Sequence, residues 1–248
     1  MSKPTLVMIH GLAGSLHYFD PQSRITGAEV HCCDLLGYGE HRRTEEDRLT
    51  LSAQVEHVER YLEQFGTGPV WLLGHSMGGA VVMLLADRRA DLVAGLINVE
   101  GNFTLKDAFW SGSIIRNSPA EWADEYRALR ANLPATTKSW SISPNPQRIE
   151  WIGRILDNQP AETVYRMSEA IVAETRPTAY LGTVRRVVDA DIPCHLIAGE
   201  KSAAAWDLPE FVRRAARSYA QQPGAGHLMM LEDPDRFCAL VGSILTGG

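Results

Sequence analysis

Val70-Trp71-Leu72-Leu73-Gly74-His75-Ser76-Met77-Gly78-Gly79 passes from a continuous apolar run into a stretch of small and apolar residues, and its reading decides the fold. Val70 to Leu73 has the length and character of a buried strand. Met77 to Arg89 reads as a helix. Between them sits Gly-x-Ser-x-Gly. A serine at a sharp strand-to-helix turn has strained backbone angles and crowded neighbours, so a glycine two residues to either side leaves room for the turn. Its hydroxyl then projects clear of the sheet, beside a helix N-terminus whose amides can face a developing anion.

Outward from this turn the same alternation repeats. Thr5 to Ile9 reads as a buried strand ended by His10 and Gly11, and Ala28 to Leu35 as a second strand closed by Gly37 and Gly39. Leu51 to Phe65 has helical spacing at Leu51, Val55, Val58 and Leu62, and Gly66 and Gly68 stop it. Val93 to Val99 is another apolar strand, ending at Glu100. Strand character returns at Cys194 to Ala198. A helix is expected near Pro209 to Ser218, a glycine-rich loop at Gly224 to Gly226, and a last helix from about Pro234 to Leu245.

Strands alternating with helices imply an α/β fold, with a mostly parallel central sheet flanked by helices. From Gly101 to about Arg185 the alternation stops. Trp110, Trp122, Trp140 and Trp151 fall there, with helix-like stretches at Ala120 to Asn132, Gln147 to Asn158 and Ala161 to Glu174, which Pro134, Pro144 and Pro146 are expected to interrupt. The division expected is a core of residues 1–101 and 186–248, with 102–185 inserted as a helical cap over the strand ends, where ligands bind in open α/β sheets.

The 248 residues carry a formal net charge of -6, which argues against non-specific binding of nucleic acid or anionic membranes. No segment approaches the apolar length that spans a bilayer. The start, Met-Ser-Lys-Pro, lacks the pattern of a signal peptide. The four cysteines, Cys32, Cys33, Cys194 and Cys238, have no metal-binding or redox spacing and read as reduced thiols, so a cytoplasmic location is expected. No metal or cofactor is implied.

Gly-His-Ser-Met-Gly-Gly after such a strand resembles the nucleophile elbow of the α/β-hydrolase superfamily. Three further segments match in the same order: His10-Gly11-Leu12, like the family's oxyanion loop; Asp34-Leu35-Leu36-Gly37-Tyr38-Gly39, like its Asp-x-x-Gly-x-Gly loop; and Gly226-His227, where the family keeps its catalytic histidine. The Asp-x-x-Gly-x-Gly loop departs from the family at His41, two positions after Gly39, where a serine is common. The resemblance implies an α/β-hydrolase fold with Ser76 as nucleophile and His227 as base. It also implies an oxyanion hole made by the backbone amides of Leu12 and Met77. His10 and His75 are expected to shape loops, and His17, His31, His41, His57 and His195 to have no catalytic part.

The acid is where this chain departs from the common pattern. The segment that usually supplies it is Gly199-Glu200-Lys201-Ser202, with Ser202 at the acid's position, and a serine cannot stabilise an imidazolium as a buried carboxylate can. Glu100 ends the strand that follows the nucleophile helix, where zearalenone-lactone hydrolases and several haloalkane dehalogenases place their acid. Glu100 is the favoured candidate, with Glu200 and Asp207 as alternatives. Asp34 is expected to bond nearby loop amides.

These residues imply hydrolysis of a carboxylic ester or lactone through an acyl-enzyme. A thioesterase, a carbon–carbon bond hydrolase or a non-catalytic ligand-binding member of the superfamily could carry the same residues. Dehalogenase and epoxide-hydrolase chemistry is disfavoured, because those branches attack with aspartate. The insertion shows no cationic clamp for phosphate or carboxylate, so the expected partner is a small, largely apolar acyl substrate, with Trp110 the candidate to line its pocket.

Overall fold

A computed structural model describes residues 3–66 and 68–247. In chain order the elements are β1 (Thr5–Ile9), α1 (Pro21–Arg24), β2 (Glu29–Cys33), α2 (Leu51–Leu62), β3 (Val70–His75), α3 (Met77–Arg88) and β4 (Val93–Val99). Then come α4 (Phe109–Ile114), α5 (Pro119–Ala131), α6 (Leu133–Ser139), α7 (Pro146–Asp157), α8 (Ala161–Thr175) and α9 (Thr178–Asp189). The chain ends with β5 (Cys194–Gly199), α10 (Glu210–Ala215), β6 (Ser218–Gln222), α11 (Met229–Glu232) and α12 (Pro234–Leu245).

The six strands form one parallel sheet in the order β2-β1-β3-β4-β5-β6. The chain moves outward from β1 to β2, then returns past β1 to β3 and continues the other way. β1 and β3 therefore flank the point where the winding reverses, with Ile9 opposite Gly74 in register. The loops diverge there and leave a crevice at the strands' C-terminal ends. Leu6, Val7, Met8 and Ile9 of β1 and Leu72 and Leu73 of β3 are wholly buried, as continuous apolar strands in a sheet covered on both faces must be. Helix α3 packs on β1, β3 and β4 and is flanked by α2 and α9, while α1 and α12 pack together elsewhere on the sheet. Among the described residues no helix is long and apolar enough to cross a membrane. All four cysteines are free and buried.

Three sequence expectations need correction. The helix expected to reach Ser218 stops at Ala215, and Ser218–Gln222 is instead the sixth strand. It is an edge strand in which only Gln222 is buried, so its Ser-Tyr-Ala-Gln-Gln sequence lacks the apolar run that marks the other strands. Pro134 and Pro146 do not interrupt helices; they begin them, in the first turns of α6 and α7, where a missing N–H costs nothing. Asn132 and Asn145 cap those starts by accepting from Ala135 N (3.2 Å) and Arg148 N (2.8 Å). The third concerns Asp34. Its carboxylate takes Asn158 Nδ2 (3.4 Å) and lies 3.9 Å from His17 Nε2, rather than bonding loop amides.

Six helices separate β4 from β5. Helices α4 and α5 pack on α8, and α6 packs on α5 and α7. Helix α9 lies against α3 in the core layer, ties to it through an Arg186–Asp87 ion pair, and runs unbroken through residue 185, where the sequence reading ended the insertion.

The turn after β3 tolerates no side chain at its glycines. A Cβ on Gly74 would meet Gly78 O at 2.4 Å, and one on Gly78 would meet Ile9 O and His10 O at 2.5 Å. These obstacles are backbone and cannot rotate away. Gly78→Ala is therefore expected to lower unfolding stability by about 1–3 kcal/mol, read as a fall in the urea midpoint. An unchanged midpoint would contradict the close packing of α3 on the end of β1.

Candidate active site

Ser76 sits at the join of β3 and α3 with φ 53° and ψ -121°, a backbone conformation that L-residues avoid. The surrounding hydrogen bonds hold it there. Ser76 N donates to Val99 O (3.1 Å), and Ser76 O accepts from Gly79 N (2.9 Å) and Asn102 N (3.1 Å). The end of β4 is thereby bound to the turn. Its next residue, Glu100, is itself at φ 41°. Such geometry costs on the order of 1–3 kcal/mol per residue and persists only where the fold over-determines it.

Glu100 is 5% exposed, and a carboxylate so buried must be satisfied. Its Oε1 accepts from Gly199 N (2.8 Å) and Ser202 Oγ (2.5 Å), and its Oε2 accepts from His227 Nδ1 (2.7 Å). Ser202, at the position where the acid is usual, is thus a donor to the carboxylate of Glu100. Glu200 accepts from Gly224 N (2.7 Å), and Asp207 accepts from Thr104 Oγ1 (2.6 Å). Of the three candidate acids, Glu100 is the one bonded to His227.

The bond from Nδ1 fixes the imidazole tautomer. With the proton on Nδ1, the neutral ring presents Nε2 as an acceptor. The His227 side chain is 38% exposed, and among the described residues Nε2 has no hydrogen-bond partner. Among the described residues no hydrogen bond joins Ser76 Oγ to His227. Such contacts commonly tighten only when substrate binds.

Two backbone amides complete the neighbourhood. Leu12 N, in the loop after β1, and Met77 N, at the start of α3, have no hydrogen-bond partner among the described residues. The loop bearing Leu12 is held from within. His10 Nδ1 donates to Gly11 O (2.8 Å), His10 Nε2 accepts from Leu35 N (3.1 Å), and Tyr38 Oη donates to Leu12 O (2.8 Å). Trp110 is partly buried in an aromatic cluster, its ring 5.8 Å from Trp140 and 6.3 Å from Trp122. Among the described residues no group of three or more His, Cys, Asp or Glu side chains is gathered as a metal site.

Residues 6–240 match the alpha/beta hydrolase family. The chain belongs to that family. Among curated relatives, the sn-1-specific diacylglycerol lipase ABHD11 of Mus musculus is 34% identical over 101 residues, which is 39% of this chain and 32% of the mouse protein. The 2-succinyl-6-hydroxy-2,4-cyclohexadiene-1-carboxylate synthase of Salmonella typhimurium is 25% identical over 242 residues, covering 93% of this chain and 89% of its own. Among solved structures, a carboxylesterase of Nitrososphaera gargenis superposes with a TM-score of 0.74 at 17% identity, covering 99% of this chain and 92% of that one, a likeness of fold.

This alpha/beta hydrolase also supports its histidine loop in ways the sequence did not announce. Gln222, wholly buried at the end of β6, donates through Nε2 to Met229 O (3.0 Å) and Asp233 O (3.1 Å). Glu232 Oε2 accepts from Gly226 N (2.5 Å). The only hint of Gln222 in the sequence is a glutamine in a short polar stretch, which reads as surface. His75 was legible from its place inside the motif. Its ring lies 4.7 Å from the His227 ring, and its Nε2 donates to His227 O (3.0 Å). Burial pushes His75 from its usual 6.5 down to about 3, with the neighbouring His227 pushing the same way. It therefore stays neutral beside the base.

That depression has a measurable consequence. Between pH 6.5 and about 3 the unfolded chain binds a proton at position 75 that the folded chain refuses, so stability falls on acidification through this window. The slope from one such proton is at most about 1.4 kcal/mol per pH unit. His75→Gln keeps an N–H donor but cannot titrate. Chemical unfolding at pH 4, 5 and 6 should show a shallower loss of stability in His75→Gln than in wild type. Parallel pH curves would contradict the neutral, buried state.

Proposed function

We propose that this chain is a serine hydrolase that cleaves a carboxylic ester or lactone through an acyl-enzyme on Ser76. The observation that carries the reading is the His227 Nδ1–Glu100 Oε2 hydrogen bond of 2.7 Å, at the same end of the sheet as the strained Ser76. A histidine so oriented is a general base with its free nitrogen available, and the buried carboxylate stabilises the imidazolium that forms.

In this reading His227 Nε2 takes the Ser76 Oγ proton as the oxygen attacks the carbonyl carbon. The carbonyl oxygen, now an anion, is met by Leu12 N and Met77 N. The tetrahedral adduct collapses, the carbon–oxygen bond to the leaving alcohol breaks, and His227 returns the proton to that alcohol. Water then repeats the sequence on the acyl-enzyme and frees the carboxylic acid and Ser76. The diacylglycerol lipase, similar over 39% of this chain, is consistent with ester chemistry. For the substrate we assign a small, largely apolar acyl group. Trp110 supports that choice. It is a partly exposed indole in the helix that begins shortly after Asn102, whose amide bonds Ser76 O. The residues between β4 and β5, up to α9, are assigned as a cap over the site.

Hydrolysis of short-chain p-nitrophenyl esters tests the reading. Ser76→Ala should reduce turnover to background. Glu100→Gln should lower kcat by about 10² or more, because the histidine loses its oriented tautomer. Glu200→Gln, which keeps an acceptor for Gly224 N, should change kcat by less than about tenfold. Turnover that survives Ser76→Ala would overturn the mechanism, and turnover insensitive to Glu100→Gln would overturn the acid.

A further inference from the structure

The turn between α7 and α8 carries Asn158 and Gln159, and both reach out of their own helical layer to one residue of the loop after β1. Asn158 Nδ2 donates to Gly14 O, and Gly14 N donates to Gln159 Oε1 (3.3 Å). The two side chains take the carbonyl and the amide of a single residue, two positions beyond Leu12. Asn158 O also accepts from Gly39 N (2.8 Å), which ties the same turn to the loop after β2. Gln159 is 2% exposed and is aimed from behind, since its Nε2 donates to Tyr126 Oη (2.6 Å) while Tyr126 Oη donates to Leu156 O (2.8 Å). A buried glutamine with both ends of its amide engaged has one orientation.

The loop it grips has no slack. A Cβ on Gly14 would lie 1.9 Å from His10 Nδ1 and 2.7 Å from Gly11 O, so residues 11–14 fold back on the His10 ring. On the core side His10 holds Gly11 O and Tyr38 holds Leu12 O. On the other side the loop's exit is held at Gly14 by Asn158 and Gln159. The direction of Leu12 N depends on both ends.

We propose that Asn158 and Gln159 are positioning residues for the oxyanion hole. By clasping Gly14 they hold Leu12 N where the developing anion forms, so displacement of the α7–α8 turn disassembles the hole. This rests on the reading of Leu12 N as an oxyanion donor, and the test separates the two.

The full chain is compared as wild type, Gln159→Leu and Asn158→Ala. Hydrogen–deuterium exchange of the peptide over residues 11–15 should quicken by about tenfold or more in each variant, while peptides from β3 and α12 keep the wild-type rate. On p-nitrophenyl butyrate, kcat should fall by about ten- to a hundredfold, short of the ~10²–10³ that follows outright removal of a donor. KM should stay within about threefold. Affinity for phenylboronic acid, which forms a tetrahedral adduct on a nucleophilic serine, should fall by the same factor as kcat/KM. Should Gln159→Leu fail to fold, Asn158→Ala breaks the other arm of the clasp at a half-buried position. Unchanged exchange at residues 11–15, or a higher KM with kcat and boronate affinity retained, would overturn the clasp. Wild type with neither turnover nor boronate binding would instead overturn the serine-hydrolase reading, and with it the catalytic meaning of the clasp.

Discussion

A carboxylate with 5% exposure at the end of a central strand is the constraint around which this end of the molecule is arranged. Left alone, a buried charge of this kind would destabilise the fold by several kcal/mol. Glu100 instead receives three donors from three pieces of chain: the end of β5 at Gly199, the loop beyond it at Ser202, and the histidine loop at His227. Satisfying Glu100 therefore brings those three segments together. The histidine arrives already carrying its proton on the nitrogen that faces the acid.

The remaining supports serve the same arrangement. Gln222, Glu232, Glu200 and His75 pin the histidine loop at Met229, Asp233, Gly226, Gly224 and His227 itself. Ser76 and Glu100 both sit at positive φ, and Ser76 N is bonded to Val99 O, the residue before Glu100. Strain at two functional positions is thus held by one strand end, and the sheet beneath it keeps that strand fixed. On the far side, the loop bearing Leu12 is anchored by His10 and Tyr38 from the core and at Gly14 by Asn158 and Gln159.

Much of this was legible in the sequence, because local chemistry announces it. Thr5–Ile9 and Val93–Val99 were legible to the residue from their apolar runs, and the last helix, expected from about Pro234, opens at that proline. The serine turn was legible because only glycine fits beside it. Glu100 could be favoured as acid because Ser202 offers no carboxylate where one is usual. The sixth strand was missed because an edge strand with one buried residue needs no apolar pattern. Helix α9 gave no separate signal in the sequence; it follows α8 after a break of two residues at Arg176 and Pro177 and packs on α3. Gln222 and Gln159 were invisible for a different reason. Their partners are set by tertiary contact, and a buried glutamine carries no local signature.

The claim at the centre of the account is that Ser76 is a nucleophile made reactive by the Glu100–His227 pair. Labelling with a fluorophosphonate followed by peptide mass mapping tests it most directly, since an activated serine attacks the phosphorus of such reagents, expels fluoride and keeps the phosphonyl group. The account predicts one adduct, on the peptide containing Ser76, formed rapidly by wild type, slowly by Glu100→Gln and not at all by Ser76→Ala. No adduct on wild type, or an adduct on another residue, would contradict it.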